Sequence, residues 1–113
     1  MIILDLKNVL LPRINDRYNK NFSLKNSYRL KKNNLLNEIR IQTQKMPLLE
    51  SPYYVNIQVG THLDIDSFIK PLLDSIQESG NIDNDSNILD LRIIKTKLKK
   101  TEKNWIKVEL GEL

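Results

Sequence analysis

At 113 residues, with a formal charge of +4 and an isoelectric point of about 9.3, the chain can bury one modest hydrophobic core as a single domain spanning 1–113. The lack of cysteine excludes a disulfide framework and a thiolate metal site, and suits a reducing cytoplasm. No apolar run approaches the roughly 20 residues that span a bilayer, and Met1-Ile2-Ile3-Leu4-Asp5-Leu6-Lys7 is too short and too charged for a secretory signal.

Ile2, Leu4 and Leu6 alternate with other residues, which predicts a strand over 2–7. Residues 9–21 read as a loop containing Pro12 and several turn formers. A helix is predicted from 26 to about 45, with Tyr28, Leu35, Ile39 and Gln42 on one stripe and Leu36 beside it. Its outer face carries Arg29, Lys31, Lys32 and Arg40, a solvated surface or a set of phosphate contacts. Met46-Pro47 ends it. Tyr53, Val55, Ile57 and Val59 then alternate with Tyr54, Asn56 and Gln58, a strand with one buried face. Gly60-Thr61 interrupts the pattern, and the extended line is expected to continue to Asp64.

The stretch from His62 to Asp85 concentrates acid in an otherwise basic chain: Asp64, Asp66, Asp74, Asp83 and Asp85, with Lys70 among them. Carboxylates this close repel one another unless a cation or solvent relieves them. If the strand extends this far, Asp64 and Asp66 point to the same side, and His62 shares that face. A helix follows, because Ile65, Phe68, Ile69, Leu72, Leu73 and Ile76 form one apolar face, with Asp66 or Ser67 as N-cap and Gly80 as the stop. Pro71 is tolerable only near the helix start. Lys70 lies one turn past Asp66 and off the apolar face, so it can reach back toward the carboxylates. Asn81-Ile82-Asp83-Asn84-Asp85 is a turn-prone return that delivers Asp85 beside the next strand.

That strand is predicted over 88–97, with Leu89, Leu91 and Ile93 on one side. Lys95, Lys97, Lys99, Lys100 and Lys103 crowd the following connection, and Trp105 to Leu110 is the last strand with Ile106, Val108 and Leu110 inward. The two are expected to form a hairpin with a basic tip, which protects a sheet edge or contacts phosphates. Trp105 and the tyrosines read as core or interface residues. The fold class is α+β: a small domain with a mixed sheet of about four strands and two main helices. A single histidine rules out a His-rich metal site, and no Gly-rich phosphate loop is present, which argues against nucleotide hydrolysis.

The central stretch resembles the RusA-type Holliday junction resolvases. Their pattern is Asp-x-Asp-Asn, a Lys four residues after the second Asp, an Asp one turn later, and Asp-Asp ahead of a strand. Here it reads Asp64-Ile65-Asp66-Ser67, Lys70, Asp74, Gly80, Asn84-Asp85, then Ile88-Leu89-Asp90-Leu91-Arg92-Ile93-Ile94-Lys95, with no gap. Pro12-Arg13-Ile14-Asn15-Asp16-Arg17-Tyr18 echoes the family's Pro-x-Ser-Asn-x-x-Tyr segment. The resemblance implies a RusA-like homodimer, metal ligands at Asp64, Asp66 and Asp85, and a functional lysine at Lys70. Three positions depart from the pattern: Ser67 for Asn, Asn84 for the first Asp of the pair, and His62-Leu63 where relatives often carry arginines.

The resulting expectation is a cytoplasmic, Mg²⁺-dependent endodeoxyribonuclease, with Mn²⁺ as a substitute ion, that cuts four-way junctions and other branched DNA in recombination and repair. Acids hold the metal and lysines hold phosphates. In that reading Asp64, Asp66, Lys70 and Asp85 are catalytic. The alternatives are a junction-binding module of the same fold without cleavage, and a basic interaction domain whose acids are merely solvated.

Overall fold

The structure is a computed structural model that describes residues 1–13, 26–44 and 46–113. Its elements are β1 (Ile2–Lys7), α1 (Asn26–Thr43), β2 (Tyr53–Thr61), α2 (Ile65–Glu78), a 3₁₀ turn (Asp85–Asn87), β3 (Ile88–Lys97) and β4 (Trp105–Glu112). The strands form one mixed sheet in the order β1-β4-β2-β3. β4 pairs antiparallel with both β1 and β2, whereas β2 and β3 are parallel. This is the α+β architecture that the alternation patterns predict, with four strands and two main helices.

Strand register explains which residues enter the core. Ile2, Leu4 and Leu6 lie opposite Leu110, Val108 and Ile106, which in turn lie opposite Val55, Ile57 and Val59. These side chains share one face of the sheet and are all buried. Leu35 and Ile39 of α1 and Phe68, Leu72 and Ile76 of α2 complete the same cluster, so both helices cover that face. Fully burying side chains of this size contributes about 1.5–3 kcal/mol each. The α1 stripe is as predicted, except that Thr43 closes it and donates its hydroxyl to the carbonyl of Ile39. The amide of Gln42 instead makes two bonds to the backbone of Asp5, which satisfies the outer edge of β1.

α2 shows the expected apolar face, with Phe68, Leu72 and Ile76 buried and Ile65, Ile69 and Leu73 half-buried against the core. Pro71 sits inside the helix, past its first turn. It is buried and has no N–H to offer the carbonyl of Ser67, so the helix forgoes one backbone hydrogen bond there. Gly80 follows the C-cap with φ +91°, a left-handed position that glycine takes without strain.

Three sequence expectations are corrected. β2 runs through Gly60 to Thr61 and stops there, short of Asp64. The Thr61 hydroxyl accepts the Leu63 amide and closes a tight turn, leaving His62 exposed and off the strand. β3 and β4 do not form a hairpin, because they flank β2 on opposite sides. β2 is buried along its whole inner face and takes a partner on each edge, so the connection 98–104 must pass over its C-terminal end, where Leu98 is buried. Finally, the β2–β3 register shifts between Tyr53 and Tyr54, which pair with Ile88 and Asp90. Leu89 is the extra residue, 71% exposed, and it does not share a face with Leu91 and Ile93.

Among the described residues, the other face of the sheet carries no helix. On it, Trp105 lies opposite Gly60, and Tyr54 lies opposite Gly111. A Cβ at Gly60 would fall 2.1 Å from Trp105 Nε1, so the indole occupies the space a side chain would take. Gly60→Ala is therefore expected to displace Trp105 and to destabilise the protein by about 1–3 kcal/mol. Urea unfolding checks the loss. A red shift in the emission of the chain's single tryptophan checks the displacement.

Candidate active site

α2 carries the chain back along β2, and the segment 79–87 then turns it into β3. The turn is built by side chains. Tyr53, buried in β2, brings its hydroxyl within 3.0 Å of both the Leu49 carbonyl and Asp83 Oδ1, and accepts the Asp83 amide. Asn87 donates to the same Asp83 oxygen at 3.1 Å. The bonds from Asn87 and from Tyr53 hold the Asp83 carboxyl below its ordinary value, and burial pushes the Tyr53 hydroxyl up. Asp83 thus fixes the loop. Asn84 caps the 3₁₀ turn by accepting the Ser86 amide at 2.9 Å. An aspartate would cap the same turn, so Asn84 preserves the local structure with one charge fewer.

This loop holds Asp85 against α2. The Asp85 amide donates to Gln77 Oε1 at 2.9 Å. Its carboxylate accepts from Lys70 Nζ at 2.8 Å, and the same ammonium lies 2.9 Å from Asp74 Oδ1. Lys70 therefore sits between two carboxylates from different elements. Its side chain is 54% exposed, against 19% for Asp85. The bonds to Asp85 and then to Asp74 raise the Lys70 pKa above the usual lysine value.

Asp64 and Asp66 occupy other positions. Asp64 is the N-cap of α2, in place of the expected Asp66 or Ser67. Its carboxylate makes no capping bond; its carbonyl instead accepts the Ser67 amide and hydroxyl. Asp66 lies in the first turn of the helix and is exposed. The two are not on an extended strand, so the alternation that would align them is lost. The helical rise of about 1.5 Å per residue sets Asp66 roughly 12 Å along the axis from Asp74. The structure joins Lys70, Asp74 and Asp85. Among the described residues, no group of three or more acidic or histidine side chains is placed to hold an ion.

The donor set nonetheless has the right chemistry for a hard divalent cation, since carboxylate oxygens are its preferred protein ligands. Asp64 and Asp66 are exposed, and no ion pair engages them among the described residues. Asp85 is the member that Lys70 holds.

Of the basic residues on the outer face of α1, two have structural partners. Lys32 Nζ pairs with Glu78 Oε1 at 2.9 Å, and Arg40 donates to the Glu78 carbonyl at 3.3 Å. Both place positive charge at the C-terminus of α2. Of the segment that echoes the family's Pro-x-Ser-Asn-x-x-Tyr, residues 14–18 lie outside the described residues. Sequence reading missed Gln77 and the Tyr53–Asp83 contact. A tyrosine at a strand start and a glutamine in a helix carry no local mark of a partner in a distant loop.

No protein-family model matches the chain, and a comparison with curated proteins finds no significant relative.

Lys70→Met should lower stability by about 0.2–1 kcal/mol at neutral pH, the range for exposed pairs. The folded-state pKa is raised, so this contribution is complete below the ordinary lysine value of 10.5 and is lost as pH rises through the folded value. Urea unfolding of both proteins from neutral to strongly alkaline pH should show a constant gap that closes only above that value.

Proposed function

We propose that the chain is a Mg²⁺-dependent endodeoxyribonuclease acting on branched DNA, four-way junctions above all, with Mn²⁺ as a substitute ion, in the cytoplasm. The observation that carries this reading is the 2.8 Å contact between Lys70 and Asp85. The resemblance to RusA-type resolvases singles out both residues, and the fold brings them together from 15 positions apart. Asp64, Asp66 and Asp85 would hold the ion. When bound there, Mg²⁺ supplies polarisation of the scissile phosphate and an activated water.

The chain's own residues have distinct tasks. Gln77 and Asn84 orient Asp85 through its amide and through the 3₁₀ turn. Lys70 keeps the Asp74 and Asp85 charges compatible. Released toward substrate, its ammonium neutralises charge developing on the phosphate or the leaving oxygen. Basic residues on the outer face of α1 supply shape-selective phosphate contacts. Among the described residues, no helix is long and apolar enough to cross a membrane.

One observation favours the second reading, a junction-binding module without cleavage: Asp85 is engaged by Lys70 and stands apart from Asp64 and Asp66. Cleavage separates the two readings. With a labelled four-way junction and Mg²⁺, the wild type should nick near the branch point and leave matched duplex intact. Asp85→Asn should abolish cutting while retaining junction binding, and Lys70→Met should slow single-turnover cutting by roughly 10²–10³-fold. Binding without any metal-dependent nicks would establish the module instead.

A homodimer belongs to the same proposal. β3 is an edge strand with Leu89, Leu91 and Ile94 exposed, an apolar margin suited to a second copy. Sedimentation at micromolar concentration should give twice the 13.3 kDa chain mass, and Leu91→Lys should shift the protein toward the monomer.

A further inference from the structure

The sheet face opposite the two helices has a basic end that the proposed nuclease site does not use. Asp5, Lys7, Asn8, Lys103, Trp105 and Lys107 line a cleft there of about 370 Å³. Strand register explains the grouping: Lys7 lies opposite Trp105, and Asp5 lies opposite Lys107, so all four side chains emerge on the same face of β1 and β4. Lys103 comes from the connection that crosses the end of β2. Asn8, in a left-handed conformation at φ 55°, turns the chain out of β1. The Val9 amide then donates to the Asn104 carbonyl at 3.1 Å, which ties the two walls together. The cleft is therefore part of the fold.

Its chemistry is specific. One side of the indole lies over the backbone at Gly60. Lys107 Nζ stands 5.8 Å from the ring centroid, and Trp105 is only half-buried. Three exposed ammonium groups surround a flat aromatic surface, against the single carboxylate of Asp5. The volume lies at the lower end of the roughly 300–1,000 Å³ typical of small-ligand sites, the scale of one nucleotide unit.

We infer that this cleft binds single-stranded nucleic acid, with one base stacked on Trp105 and neighbouring phosphates against Lys7, Lys103 and Lys107. Charge complementarity selects a polyanion, and the indole selects one that exposes π-faces. Bases inside a duplex already stack on each other, so only unpaired bases can use the ring. Stacking on the ring is sequence-tolerant and exceeds the weak cation–π contact of an exposed lysine, which frees Lys107 for a phosphate. The site shares no residue with the Lys70–Asp85 centre, so it stands or falls independently of the nuclease reading.

The single tryptophan makes the test direct. Titration of the full chain with a short oligothymidylate should quench its emission saturably, at an affinity at least about tenfold above that for matched duplex. The salt dependence should have a log–log slope of about −2, corresponding to three phosphate contacts on a single strand. By anisotropy of the end-labelled oligonucleotide, Trp105→Ala should weaken binding roughly tenfold to a hundredfold. Because Trp105 also covers Gly60, Lys103→Glu on the exposed connection is the second variant. It should weaken binding on the order of tenfold with an unchanged circular dichroism spectrum. Asp85→Asn should leave the quenching intact. Equal quenching by tripolyphosphate, equal affinity for duplex, or undiminished binding by Lys103→Glu would overturn the proposal. So would emission that changes with protein concentration alone, which would place a second copy over this face.

Discussion

The structure depends on β2 having a partner on each edge. Tyr53, Val55, Ile57 and Val59 are at most 1% exposed, and that burial needs β4 on one side and β3 on the other. Because β3 runs parallel to β2, the chain must return along the sheet before it can pair, and α2 makes that return. The same geometry decides what Asp85 meets. It enters at the start of β3, beside α2, where Lys70 and Gln77 receive it and Asp74 shares the lysine. The ion-pair centre is thus a consequence of topology, and Asp85 is held there by the loop that Tyr53 and Asp83 fix.

Much of the fold was legible because periodicity reports burial. The period-2 pattern of β2 and the apolar stripe of α2 both correspond to buried faces, and Gly80 marked the helix end. The failures share a cause, which is that strand pairing is not local information. The run from Ile88 to Leu110 reads as a hairpin because consecutive strands commonly pair. Nothing between Leu98 and Asn104 announces that β2 stands between them. Leu89 misleads for a related reason: the register shift opposite Tyr53 and Tyr54 reverses its face while the sequence alternation continues unbroken.

Of the candidate site, one contact was legible in the sequence and the rest of the arrangement was not. Lys70 and Asp85, which the resemblance singles out, are in contact. Asp64 and Asp66 were expected on a strand because they alternate, yet Thr61 closes the strand three residues before Asp64 and makes it a helix cap. The charge distribution adds a second principle. Acid gathers around α2 and its return loop, whereas the lysines near Trp105 gather on the opposite face of the sheet. Sheet geometry therefore keeps an acidic and a basic surface from neutralising each other in so small a chain.

We propose that an ion draws Asp85 together with Asp64 and Asp66, which the fold leaves apart from it. Paramagnetic broadening by Mn²⁺ in amide-resolved NMR spectra tests it most directly, because an ion relaxes only the nuclei near it. At substoichiometric Mn²⁺, the amides of Asp64–Lys70 and Asn84–Ser86 should broaden together before any others, and Asp85→Asn should remove the effect from both segments. Broadening spread over unrelated carboxylates such as Glu50 and Glu112, or undiminished in Asp85→Asn, would contradict it.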